Sequence, residues 1–429
     1  MKKLFVPLAL AVFIFTAVFF HSCEDKIVSE VTYTAFLPQY LSYSDLRSVE
    51  MEKTASREFE KPGKIFFYQN YLFVNEYYEG IHIIDNSNPQ NPQNIGFIPI
   101  PGNIDMAIKD NYLYADSYVD LVVLNIEDLN NIQTVGRVEN FLPYILPQAE
   151  SDLMYPYAQV DNTKGVVIGW EVGEYTYTSN LNEREYPIYY YNMDNSFAET
   201  TNGVSGGNAV PTAIAGSMAS FMLVGDHLYI LNDWLLKTYS IENAQLPVLT
   251  DSTNISWQGE TLFAYNGNLF VGTTSGMLIY SLLNPASPSF LGSFSHINSC
   301  DPVVIQGNYA FSTLRSGNDC GNTVNLLDVI NIENLMEPFL VKTTGMYNPH
   351  GLAYDEELLF VCEGEYGLRI FDASNPETTG DVEIAHFEGF HAYDVIPFNG
   401  VLMLIGDDGL RQYDYSDPTN LVLLSTLEL

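Results

Sequence analysis

One phrase recurs along this chain and constrains its fold more than any other feature. It first appears as Gly80-Ile-His-Ile-Ile-Asp-Asn-Ser-Asn-Pro-Gln-Asn-Pro92, a short apolar strand running into a polar turn closed by proline. It returns at Leu121–Leu129, Leu236–Pro247, Met277–Pro288, Asn325–Pro338, Gly367–Pro376 and Gly409–Pro418. Seven copies of a phrase predict seven copies of one structural unit.

The first unit opens with the compact strand Ile65–Gln69. A turn at Asn70 leads to Tyr71–Asn75, then Glu79-Gly80 turns into Ile81–Ile84, and Gln93–Ile100 completes the unit. Strands of four to eight residues joined through Gly, Asn, Asp or Pro are the mark of hairpin meanders. First strands begin near Ile65, Met106, Phe221, Leu262, Val303, Leu352 and Val395, so five of the six spacings are 41 to 49 residues. A period near 41–45 residues with four strands matches a propeller blade. Such a sheet is apolar on both faces and needs a neighbour on each side. The expected fold is therefore all-β: a seven-bladed β-propeller of four-stranded antiparallel blades. An aromatic share of 14%, with 30 Tyr and 25 Phe, agrees with strands.

The exceptional spacing, Met106 to Phe221, carries roughly 74 extra residues. This insertion after the second blade, at about 141–216, reads as projecting from the ring and partly disordered, with a diverged eighth unit as the rival reading. Within it, Val166–Val172 and Glu174–Thr178 are expected to form a hairpin. The tyrosines of 186–191, with Tyr175 and Tyr177, suit a strand on the propeller rim or a sugar-stacking surface.

The third strand and turn, as in Ile83-Ile84-Asp85-Asn-Ser-Asn-Pro89, Ile370-Phe371-Asp372-Ala-Ser-Asn-Pro376 and Tyr413-Asp414-Tyr-Ser-Asp-Pro418, resemble the LVIVD repeat of bacterial β-propeller proteins. Asn125-Ile-Glu-Asp and Ser240-Ile-Glu-Asn depart from it. The resemblance implies a propeller on an exported or surface protein and carries no catalytic residues. The Asp and Ser of the turn are expected to accept backbone amide hydrogens while Pro fixes φ, a structural role.

The N-terminus reads as an export signal. Met1-Lys2-Lys3 precedes an apolar run from Leu4 to Phe20, and Cys23 follows. The placement of Cys23 resembles the lipobox of bacterial lipoproteins, and Glu24-Asp25 resembles the acidic tract that routes some Bacteroidota-type lipoproteins to the outer face of the outer membrane. The expectations are a signal peptide at 1–22, lipidation (palmitate) at Cys23, a tether at 23–62 and the propeller at 63–429. The protein would then sit at the bacterial outer membrane, periplasmic or surface-exposed, touching the membrane only through its lipid. An uncleaved membrane anchor and a soluble secreted protein are the alternatives. Without Lys2 and Lys3, 15 basic residues face 53 acidic ones, a formal charge of −38. Such a surface excludes nucleic acid as a partner. In an oxidising compartment Cys300 and Cys320, which flank a hairpin in one repeat, are expected to form a disulfide, and Cys362 a buried free thiol.

In a propeller the first strand of each unit is innermost, so the residues just before it surround one mouth of the channel. Those positions hold Lys64, Asp105, Ser220, Glu260–Thr261, Asp301, His350 and Asp394. They form a candidate ligand site. Its carboxylates suit Ca²⁺ or Mg²⁺ should an ion bind, although no cofactor is required, and His350 suits general-base or transition-metal chemistry. The bland alternative is a wet, solvated rim. Metalloprotease, phosphate-loop and serine-elbow motifs are missing. Function therefore reads as a cell-envelope binding or scaffold module for a protein or glycan partner, not an enzyme. The alternative is a channel-mouth hydrolase or lyase on a small or carbohydrate-derived substrate.

Overall fold

The computed structural model describes residues 28–142, 144, 146–149, 154–180, 213–215, 220–232, 234–296, 302–315 and 324–427. The chain divides into two compact units, 1–40 with 147–193 and 41–146 with 194–429.

In the first unit the strand Val28–Leu41 pairs with Val166–Asn180 in a two-stranded sheet. A stretch that reads as an irregular tether thus holds a long strand, and the expected 166–178 hairpin is one continuous strand. Its partner Val28–Leu41 lies more than a hundred residues earlier in the chain, a pairing that local sequence patterns do not encode. Trp170 Nε1 donates to the Pro147 carbonyl at 2.6 Å and packs edge-on against Tyr157.

The second unit is the propeller, nearly all β and seven-bladed. Blades 1 to 7 span 62–99, 106–138, 221–254, 259–295, 303–345, 352–387 and 394–427, each a four-stranded antiparallel meander in chain order. Apolar clusters bridge every seam. One joins blades 1 to 3 through Ile83, Val123 and Ile230, another blades 3 and 4 through Tyr229 and Leu278. A third joins blades 4 to 6 through Phe270, Val329 and Leu359, and a fourth blades 6 and 7 through Phe360 and Leu402. The last packs Ile65, Phe67 and Ile84 of blade 1 against Ile396, Met403 and Ile405 of blade 7, which closes the ring. Burial of apolar surface at roughly 25 cal/mol per Å² makes that closure a dominant stabilising term.

The repeated turn works as expected and explains its departing copies. In blade 1 Asp85 Oδ1 accepts from Ser87 N at 2.9 Å and Ser87 Oγ at 2.6 Å, and Asn88 Oδ1 accepts from Gln90 N. In blade 2 Asn125 and Asp128 do the same for Glu127 N and Asn130 N, both at 2.9 Å. Asp, Asn and Ser are interchangeable here because each presents an oxygen to an amide two residues on. The residue after the first acceptor, Asn86, Ile126, Ile241, Leu282, Ile332, Ala373 or Tyr415, is buried. Its N–H donates to the turn between the first two strands, as from Asn86 to Asn70 O and from Tyr415 to Gly400 O. A register shift falls just before the turn in every blade, as between Ile83 and Ile84 and between Gln412 and Tyr413. Such a bulge increases strand twist, as outer propeller strands require.

Two additions dock on the blades. Ala213–Ala215 pairs antiparallel with Phe66–Tyr68, which adds a fifth strand on the free inner edge of blade 1. The six-residue helix Tyr43–Ser48, capped by Ser42, is fastened to blade 2 by Arg47, whose guanidinium spans both oxygens of buried Asp120 at 2.9 and 3.1 Å. No helix among the described residues is long and apolar enough to cross a membrane.

Candidate functional site: the channel mouth and its rim

Inner strands start, second strands end and third strands start at the same rim of a meander ring. The predicted mouth residues therefore share that rim, but they fall into separate groups.

On the side of blades 1 to 3, Lys64 and Asp105 are buried and paired at 2.8 Å. Asp105 Oδ2 also accepts from Ser220 N at 2.6 Å, Ser220 Oγ at 2.8 Å and Phe221 N at 3.2 Å, while Oδ1 accepts from Met106 N. This carboxylate ties three blades together. Beneath it Asp116 Oδ1 accepts from Ile104 N, Asp105 N and Asn103 Nδ2, all at 2.8 Å. Asn75 Nδ2 in turn donates to Asn103 Oδ1. Burial pushes the Asp116 carboxyl up to about 7, against the pull of the two backbone amides. Asp116, Asn103 and Asn75 escape the sequence reading, although a polar residue near the end of an otherwise buried second strand is a signal for Asp116 and Asn75.

Glu260 is buried where the inner strand of blade 4 slips register between Gly259 and Thr261. Asp394 is buried and accepts from Val395 N at 2.9 Å. Asp301, Cys300 and Cys320 lie outside the described residues, as does Cys23. Cys362 is a buried free thiol, as expected. Among the described residues no three His, Cys, Asp or Glu side chains gather as metal ligands.

On the side of blades 5 to 7 His350 is the centre of a polar cluster. Arg315 Nη1 lies 3.1 Å from Nδ1 and 3.4 Å from Nε2, and Asn348 Nδ2 lies 3.2 Å from Nε2. Burial, then the charge of Arg315, holds the imidazole well below the ordinary histidine range, so it is neutral and its one unprotonated nitrogen accepts a hydrogen bond from one of these donors. Gly364 (φ +55°) makes room: a Cβ there would stand 2.5 Å from Asn348 Nδ2 and 2.8 Å from His350 Nε2. The ring of Tyr393 lies 5.2 Å from His350 and 4.2 Å from His391. Asp407, in the exposed turn of blade 7, accepts from Tyr393 Oη at 2.5 Å and sits 3.5 Å from His391 Nε2. His350 therefore gathers Arg315, Asn348, His391 and Tyr393, while of the predicted carboxylates Asp105 ties blades 1 to 3 together and Asp394 caps the inner strand of its own blade. Arg315, Tyr393 and Asp407 escape the sequence reading: Arg315 follows a strand of blade 5 and the other two flank strands of blade 7, and only the assembled ring brings them to one rim.

No family model matches the chain, and no curated protein does. Solved structures share its fold. A periplasmic gluconolactonase of Pseudomonas aeruginosa superposes with a TM-score of 0.52 at 8% identity, over 85% of this chain and 96% of that one. A computationally designed protein, Ika8, does so with a TM-score of 0.50 at 11% identity, over 86% and 89%. Hsv2 of Kluyveromyces lactis reaches 0.48 at 11% identity over 85% and 98%. At such identities the first two likenesses establish architecture alone. Ring closure, blade count and the first two superpositions together make the chain a seven-bladed β-propeller.

Proposed function

We propose that this protein is a binding module of the bacterial cell envelope, lipidated at Cys23 and held at the outer membrane, periplasmic or surface-exposed. Its rim at blades 5 to 7 takes a protein or glycan partner. One observation carries the binding reading over a catalytic one: the acid at the mouth is engaged structurally. Asp105 accepts from Lys64, Ser220 and backbone amides, which leaves it a poor base or metal ligand. The net charge of −36 repels nucleic acid and anionic surfaces. Two measurements test the reading. Cys23→Ala should move the protein from the membrane to the soluble fraction, and unchanged partitioning would refute the lipid tether. A pull-down from intact cells should retain a partner that Arg315→Ala or His391→Ala loses; equal recovery by both variants removes this rim from consideration.

A second reading, a hydrolase or lyase on a small or carbohydrate-derived substrate, draws on the His391–Asp407 pair. An imidazole beside a carboxylate at an exposed turn is a general-base arrangement. It requires turnover of small lactones or activated glycosides that His391→Ala abolishes.

A further inference from the structure

Beside the His350 cluster, three rings form a stack on the same rim. Tyr347, from the segment entering blade 6, lies 5.2 Å from Tyr366 with 24° between planes, and 5.7 Å from His386 with 15°. Tyr347 is 53% and Tyr366 39% exposed, which is unusual for aromatics held so firmly. Buried Glu363 accepts from Tyr347 N at 2.9 Å and Asn348 N at 2.7 Å, and so fixes the strand entry. His386 Nε2 bonds the Tyr366 carbonyl at 2.7 Å. Arg369 lies over the Tyr347 ring, 5.3 Å from its centroid, and is itself paired to Glu363 at 3.2 Å and Glu383 at 2.6 Å.

The chemistry of this patch selects its ligand. The one cation against the stack is neutralised by two carboxylates, so an anion finds no free positive charge. A cation meets Arg369 already placed over the Tyr347 ring. What is left is aromatic surface, rigid and partly bare, edged by amide and imidazole groups. A neutral ring with apolar C–H faces and a hydroxyl edge fits both features. Resting on the binding reading above, we propose that Tyr347 and Tyr366 form a stacking platform for a neutral pyranose residue of a glycan. The same rim carries Trp234, 54% exposed, in the turn between the second and third strands of blade 3.

Calorimetric titration of the full chain in detergent with cellohexaose, laminarihexaose, xylohexaose and chitohexaose tests this, with polygalacturonate and choline as charged controls. At least one neutral hexaose should bind. Tyr347→Ala should weaken it about tenfold, and Tyr347→Phe should stay within about twofold, since the ring face is what stacks. Circular dichroism and melting of both variants show whether the fold survives. Binding of none of the neutral sugars, binding of a charged control alone, or full affinity in folded Tyr347→Ala each overturns the proposal. If the sugars fail while the pull-down still yields an Arg315-dependent partner, the glycan platform falls and the rim-binding reading stands.

Discussion

Asn86 and Gln412 exchange two hydrogen bonds across the seam between the first and last blades, Asn86 Nδ2 to Gln412 Oε1 at 2.9 Å and Gln412 Nε2 to Asn86 Oδ1 at 2.6 Å. Both side chains are buried. In the other repeats the position of Asn86 holds Ile126, Ile241, Leu282, Ile332, Ala373 or Tyr415, and Asn86 alone is an amide. A reciprocal amide pair is satisfied only in one register, so it specifies how the ends of the ring meet. Asn86→Leu should cost about 1–3 kcal/mol by stranding the Gln412 amide, whereas Asn86→Leu with Gln412→Leu should be nearly neutral. Urea unfolding of the two single variants and the double variant measures this. Strictly additive losses would show that the two amides are not coupled.

Asp120 gathers Arg47, Arg137 and the Asn140 amide, and these donors hold its carboxyl below the usual range although burial opposes them. Asp120→Ala leaves Arg47 without its bidentate partner, though still paired with Glu139, and should cost about 1–3 kcal/mol. Hydrogen exchange should then show helix Tyr43–Ser48 losing protection first. Because the folded pKa is depressed, this contribution is complete above the unfolded value near 4 and is lost as pH falls through the folded one.

Asp116 behaves in the opposite sense. Its folded pKa is raised to about 7, so the folded state holds a proton that the unfolded chain releases near pH 4. Its contribution is greatest below about pH 4 and declines as pH rises from about 4 to 7. Asp116→Asn keeps an oxygen for the Ile104 and Asp105 amides and removes the titration. Melting curves from pH 4 to 8 should be flatter for Asp116→Asn than for the parent; parallel curves would place the proton elsewhere.

The repeated turn predicts which substitutions are synonyms. Asn125 Oδ1 accepts from Glu127 N at 2.9 Å. Asn125→Asp should stay within about 0.5 kcal/mol of the parent, while Asn125→Ala should lose about 1 kcal/mol. An Asp variant as unstable as the Ala variant in chemical denaturation would deny the turn its side-chain acceptor.

For Cys300 and Cys320, non-reducing peptide mapping of the exported protein should recover one cross-linked peptide. Free thiols at both positions would sink the pairing.

The repeat period, the strand pattern and the turn chemistry were legible along the chain because each is local: a strand announces itself by its apolar run, and an Asx turn by an oxygen two residues before an amide. Seven blades followed from counting. The mouth residues were found by the same logic, since the start of an inner strand is a fixed place in every repeat. Their use was not legible. Asp105 spends its oxygens on Lys64 and Ser220, 41 and 115 residues away, and His350 meets Arg315 and Tyr393 only because blades 5 to 7 stand side by side. The strand Ala213–Ala215 lies against blade 1 for the same reason. Sequence alone determined the unit and its number. The closed ring decided which polar groups neutralise one another and which aromatic faces stay bare, because those contacts join side chains from different repeats and exist only once the first blade has met the last.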